Sequence, residues 1–131
     1  MRDPMTLHAS LPASARRFSP VRAVSLGSKT MLFLSGATAG ADAPYDAAQQ
    51  TQIVFAKLEG LLHKHGAALA DVMKLTVFLT DIREYEQYSA VRDRIFSEMA
   101  VPPASTAVEG RLGSPSVRVE IEAIAVIDSP S

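Results

Sequence analysis

Cysteine and tryptophan are absent from this 131-residue chain, and histidine occurs three times. Without cysteine there is no disulfide, no thiolate nucleophile and no thiolate-bound zinc. Charge of one sign is missing too: 13 Lys+Arg against 14 Asp+Glu leave a net charge of -1. No overall positive field recruits a phosphate backbone, which disfavours nucleic acid as a partner. No apolar run approaches the ~18 residues of a membrane-spanning helix, so no membrane partner is expected. Met1-Arg2-Asp3-Pro4 brings in an acid early and lacks an apolar core, unlike a secretory signal. With no disulfide-forming residues, this fits a cytoplasmic location. No serine sits in a Gly-x-Ser-x-Gly elbow, which leaves a hydrolase triad without support.

What is present suits one globular domain. Hydrophobic residues make up 47% and charged residues 21%, which is enough apolar material for a self-supporting core. Residues 1–17 mix Pro4, Pro12 and serines without periodicity and read as a loose arm; residues 18–131 form the domain. Val21 to Leu26 and Thr30 to Ser35 are β-prone runs around a Gly27-Ser28-Lys29 turn. Asp46 and Gln49 have capping-box spacing, and Val54, Leu58, Leu61 and Leu62 then repeat on one helical stripe that stops at Gly66. Val72 to Leu79 is continuously apolar, as in an interior strand. Asp81 with Glu84, then Tyr88, Val91, Ile95 and Met99, repeats the helix pattern until Pro102-Pro103 breaks it. Ser105 to Arg111 and Val117 to Ile127 are the last strands. The order β-β-α-β-α-β-β predicts an α+β domain with two helices on one face of a mixed sheet. The other face stays uncovered and invites self-association.

Candidate chemistry is sparse. Gly27-Ser28-Lys29-Thr30 looks faintly like the end of a phosphate-binding loop, but a strand follows where a helix is required. His63 and His65 point ~200° apart on a helix and cannot share a metal ion. The last strand says more. Its two-residue period puts Val119, Ile121, Ala123 and Ala125 on one face and Arg118, Glu120, Glu122 and Ile124 on the other. Two readings stand for the carboxylates. Either this is an edge strand with charges in water, or one carboxylate lines an inter-subunit cleft and positions water as a general base.

Val119-Glu120-Ile121-Glu122-Ala123-Ile124-Ala125 resembles the C-terminal signature of the YjgF/RidA family, also called endoribonuclease L-PSP or translation-initiation-inhibitor-like. Phe33-Leu34-Ser35-Gly36, Gln50-Thr51 and the run from Gly66 through Asp71-Val72-Met73-Lys74 to Asp81 resemble its other motifs in order. The resemblance covers about Phe18 to Val126. It implies a chorismate-mutase-like fold, a homotrimer with clefts between subunits, and a small-molecule ligand in each cleft. It also implies hydrolytic deamination of enamines or imines such as 2-aminoacrylate, with no metal or organic cofactor. In that scheme Glu120 holds the attacking water and a cleft arginine clamps the substrate carboxylate.

The same alignment puts Ala104, or by a one-residue slide Ser105, at the arginine position. Pro20 takes the place of a cleft tyrosine, and Ser89 that of an asparagine on the second helix. The site expected by resemblance is therefore Glu120 as catalytic residue with Ser35, Gly36, Ser89, Ala104, Ser105 and Thr106 as substrate-binding positions. Glu120 is expected near Ser35 and Ser105-Thr106, and Glu122, about 7 Å along the strand, nearer solvent or beside a basic residue. Arg22, Arg92 or Arg111 could restore a guanidinium to the cleft. Three functions compete: an imine deaminase of altered substrate, a non-catalytic metabolite- or partner-binding trimer, and an RNA-cleaving translation inhibitor. The third has few acid–base groups to work with.

Overall fold

The computed structural model describes residues 17–130, so the expected N-terminal arm lies outside them except for Arg17. The strands are β1 (Val21–Leu26), β2 (Lys29–Thr38), β3 (Val72–Leu79), β4 (Ala104–Glu109) and β5 (Val119–Asp128). The helices are α1 (Ala47–Lys64) and α2 (Tyr85–Phe96), with short 3₁₀ turns at Leu69–Asp71 and Ile82–Glu84. Chain order is the predicted β-β-α-β-α-β-β. The sheet order is β1-β2-β5-β3-β4. All neighbours run antiparallel except β3 and β4, which the α2 crossover makes parallel.

This topology corrects one expectation. The last strand is not an edge. β5 inserts between β2 and β3 and pairs with both, so β1 and β4 are the edges. Its period-two pattern then has a plain cause. Val119, Ile121, Ala123 and Ala125 are buried with Leu75, Val77 and Leu79 of β3 under the helices, while Glu120, Glu122 and Ile124 face the uncovered side.

On α1, Val54, Leu58 and Leu62 are buried as predicted, and Phe55 joins them. On α2 the buried positions are Tyr88, Val91 and Phe96. The helix ends at Phe96, so Met99 lies beyond it rather than on its stripe. Phe96 replaces Ile95 in the deepest layer because its ring meets Phe55 edge-on, centroids 5.6 Å apart, and Phe55 also stacks on Tyr88. Asp46 caps α1 by accepting from the Gln49 N–H at 2.8 Å. Gly66, with φ of 75°, takes the left-handed conformation just past the α1 end. Asp81 caps the 3₁₀ turn, not α2, accepting from the Arg83 N–H at 3.0 Å. The Arg83 guanidinium holds its carboxyl well down, at about 2.

Gln50 is the one fully buried amide side chain at the helix–sheet junction. Its Nε2 donates to Pro44 O and Ser116 O, each at 2.9 Å, and its Oε1 accepts from the Arg118 N–H at 2.8 Å. One side chain thus ties the loop before α1 to the segment entering β5, and every polar atom is satisfied. Gln50→Leu should keep the volume but remove the partners of three partly buried backbone groups, lowering unfolding free energy by about 1–3 kcal/mol. Urea unfolding at fixed protein concentration checks this; a loss below about 1 kcal/mol would show that water replaces the amide.

Candidate functional site

Glu120 sits on β5 opposite Thr38 of β2 and Phe78 of β3, its side chain on the uncovered face. What shapes its surroundings is a β-bulge. The β2–β5 register runs Leu34↔Ala123, then Ala37↔Ile121, so Ser35 and Gly36 together oppose Glu122. Gly36 lies directly beneath the Glu120 carboxylate. A Cβ built there would stand 2.7 Å from Glu120 Oε2 and 2.9 Å from its Cδ. The Ser35-Gly36 pair therefore has a steric reason: only glycine lets the carboxylate fold over the bulge. Among the described residues Glu120 makes no hydrogen bond, which leaves both oxygens available.

The other expected positions divide between the two sides of the sheet. Ser35 is pinned, its N–H donating to Pro20 O at 2.9 Å and its hydroxyl to Ser19 O at 2.7 Å. Ala104 and Thr106 lie on the uncovered face of β4, paired with Lys74 and Thr76. The Thr106 hydroxyl accepts from Lys74 Nζ at 2.9 Å. Thr76 also pairs with Glu122, so Thr106 belongs to the row of Glu122; the row of Glu120 continues through Phe78 to Val108. Ser105 alternates to the helix side, in register with buried Leu75. It lies near the Tyr88 hydroxyl, which meets no partner at hydrogen-bond geometry and whose acidity burial suppresses. Ser89 is on α2, in the helical layer, donating to Glu86 O at 3.2 Å. Within one chain, then, Glu120, Ser35 and Gly36 come together, Ala104 and Thr106 share their face, and Ser89 and Ser105 do not.

The cations also sort themselves. Arg118 precedes β5, and its guanidinium turns away from Glu120 to pair with Glu84 and lie over the Tyr45 ring, 4.7 Å from its centroid. Arg92 is in the helical layer, bonded to Asp93 and the Tyr85 hydroxyl. Arg111 stands beyond the end of β4, beside Asp81, Arg83 and Glu109. Arg22 alone of the three candidates is on the uncovered face, in a cavity of about 250 Å³ with Lys74, Glu122 and Ser35. Lys74, which the sequence marks only as part of a motif, is brought to this cavity by the pairing of β3 with β5 and β4. Among the described residues no group of three His, Cys, Asp or Glu side chains could hold a metal ion.

Fold and site define a class: a two-layer α+β protein whose uncovered sheet face presents a carboxylate over a glycine bulge. Residues 8–127 match the family described as Endoribonuclease L-PSP, and the chain belongs to that family, the YjgF/RidA family. A RutC family protein of Pyrococcus abyssi is 36% identical over 80 residues, 61% of either chain. The 2-iminobutanoate/2-iminopropanoate deaminase of Escherichia coli is 31% identical over 86 residues, 65% of this chain and 67% of that one. The chain thus spans about two-thirds of the length of these curated relatives. The crystal structure of E. coli TdcF with bound serine superposes with a TM-score of 0.74 at 30% identity, covering 88% of this chain and 92% of TdcF.

The bulge makes a testable claim. In Gly36→Ala the new Cβ meets the movable end of Glu120 rather than backbone, so the carboxylate should swing off the bulge at a stability cost under about 1 kcal/mol. A crystal structure of the variant and thermal unfolding check the two halves. In a double-mutant cycle with Glu120→Ala the cost should largely disappear, because the three atoms nearest the new Cβ all belong to Glu120.

Proposed function

We propose that the chain is a homotrimer whose inter-subunit clefts hydrolyse reactive imines or enamines, with Glu120 as general base. The observation that carries this is the unpartnered Glu120 carboxylate held over Gly36, in a chain similar to a named iminobutanoate deaminase. Glu120 takes a proton from a bound water as that oxygen bonds to the C=N carbon, and the nitrogen gains a proton. The resulting carbinolamine expels ammonia and leaves a carbonyl. Atoms balance with water as the sole co-reactant.

Assembly is supported by the uncovered face, where Val24 (40% exposed), Leu26 (56%), Phe33 (41%) and Val108 (40%) would meet water. Apolar surface of that extent is normally buried against a partner. Three such faces turned inward would bring Ala104-Ser105-Thr106 of one copy toward Glu120 of the next. Light scattering should give three times the 14.0 kDa chain mass at micromolar concentration. A monomer would overturn the assembly.

The substrate differs from 2-aminoacrylate in our reading. Ala104 and Ser105 offer no guanidinium, and a clamp at that position is what would orient a carboxylate next to the reacting carbon. Hydrolysis of 2-aminoacrylate is expected to be weak or undetectable, whereas Glu120→Gln should cut ammonia release from simple alkyl imines about 100-fold without changing the mass. A rate untouched by Glu120→Gln would favour the second reading, a trimer that binds a metabolite or partner without turnover. The missing guanidinium is the observation behind that alternative. RNA cleavage ranks behind both, since a net charge of -1 and three histidines in all give an acid–base ribonuclease little to work with.

A further inference from the structure

The Arg22 cavity is not explained by the reaction just described. It is lined by Arg22, Lys74 and Glu122 with the hydroxyls of Ser19, Ser35 and Thr76. Two cations against one carboxylate leave it net positive. Lys74 is occupied, its ammonium donating to Thr106 Oγ1 at 2.9 Å and Leu75 O at 3.1 Å. Arg22 is not: among the described residues its guanidinium makes no hydrogen bond and no ion pair. A planar group with five N–H donors, beside hydroxyls and an apolar wall of Phe33 and Ile124, suits a carboxylate bound in a bidentate fashion. At about 250 Å³ the space has room for a small metabolite. Glu122 in the wall disfavours a dianion.

Its position relative to Glu120 sets the ligand's length. Arg22 pairs with Phe33, and Phe33 with Ile124, so Arg22 stands in the row of Ile124. That row is four residues along β5 from Glu120 on the same face, roughly 13 Å, and Arg22 lies two strand spacings to the side, so the two Cα atoms are roughly 16 Å apart. The cavity runs from Arg22 to Ser35 and stops short of Glu120, whose carboxylate lies over Gly36, the next residue in the chain. A guanidinium reaches roughly 6 Å from its Cα and a carboxylate roughly 4 Å, so a ligand joining the two must span several bonds.

We propose that Arg22 binds the carboxylate of a monoanionic substrate whose C=N carbon lies several bonds away, beside Glu120. This rests on the hydrolytic reading of Glu120 and names its substrate class: an imine with a distal carboxylate. Such a substrate needs no cation at Ala104, and 2-aminoacrylate, with its carboxylate next to the reacting carbon, cannot span the two groups.

Carbonyl product analogues test it by titration calorimetry on the assembled protein: pyruvate, 4-oxopentanoate, 6-oxoheptanoate and neutral 2-pentanone. At least one of the two longer acids should bind about tenfold or more tighter than pyruvate and 2-pentanone, the margin expected of one charge-assisted bidentate contact. Arg22→Ala should abolish that preference, and Arg22→Lys should keep part of it, with the mass of the assembly unchanged. No binding of either longer acid, pyruvate binding as tightly, or a preference that survives Arg22→Ala within twofold would overturn the proposal. So would a change of assembly in Arg22→Ala, which would make Arg22 an interface cation. The two readings fail separately. If turnover survives Glu120→Gln while Arg22-dependent binding persists, the hydrolytic role falls and the anion site stands; the reverse pattern removes Arg22 alone.

Discussion

A strand in the middle of a sheet that is covered on one side only must carry two chemistries at a period of two residues. β5 does this. Pairing with both β2 and β3 holds its backbone, so side-chain parity decides which groups face the core. Val119, Ile121, Ala123 and Ala125 close the core under α1 and α2, and that burial locks Glu120 and Glu122 onto the opposite face. A one-residue slip would bury two carboxylates and expose the apolar set, at a cost of many kcal/mol. The core thereby fixes the site.

The bulge in β2 refines what parity alone leaves coarse. Two residues opposing one re-aim the end of the strand and bring Gly36 under Glu120, while Ser35 is tied back to the segment entering β1. Local strand irregularity next to a carboxylate that has no hydrogen-bond partner is the arrangement expected where a side chain must be presented rather than packed. The carboxylate's freedom here and the guanidinium's freedom at Arg22 are the same kind of observation: charged groups for which the described fold supplies no partner.

Two other polar groups are spent on structure. Gln50 closes three backbone groups at the junction of loop, helix and β5. Arg118 pairs with Glu84 and stacks on Tyr45, holding the turn before α2 against the start of β5. Both motifs look like possible chemistry in a sequence, where a glutamine, an arginine and a glutamate carry no mark of whether they bind substrate or cap an end. Their structural partners hold them away from Glu120.

Helices, strands, their order and the two-sided character of β5 were legible in the sequence, because burial leaves a periodic signature that chain order alone can display. Periodicity put Glu120 and Glu122 on one face, and the family resemblance alone singled out Glu120. Tertiary structure alone decided the rest. That β5 is central, that Ser105 turns to the helix side while Thr106 does not, and that Lys74 answers Ala104 across β3 and β4 all follow from registers between strands far apart in sequence. Phe96 displaced Ile95 because its ring found Phe55, a partner on another helix. Arg118 left the face that parity assigned it because Glu84 lay within reach. Periodicity fixes which side of its own element a residue takes, but which residues meet across elements is set by pairing and packing at long range, where a polar side chain goes to the nearest group that satisfies it.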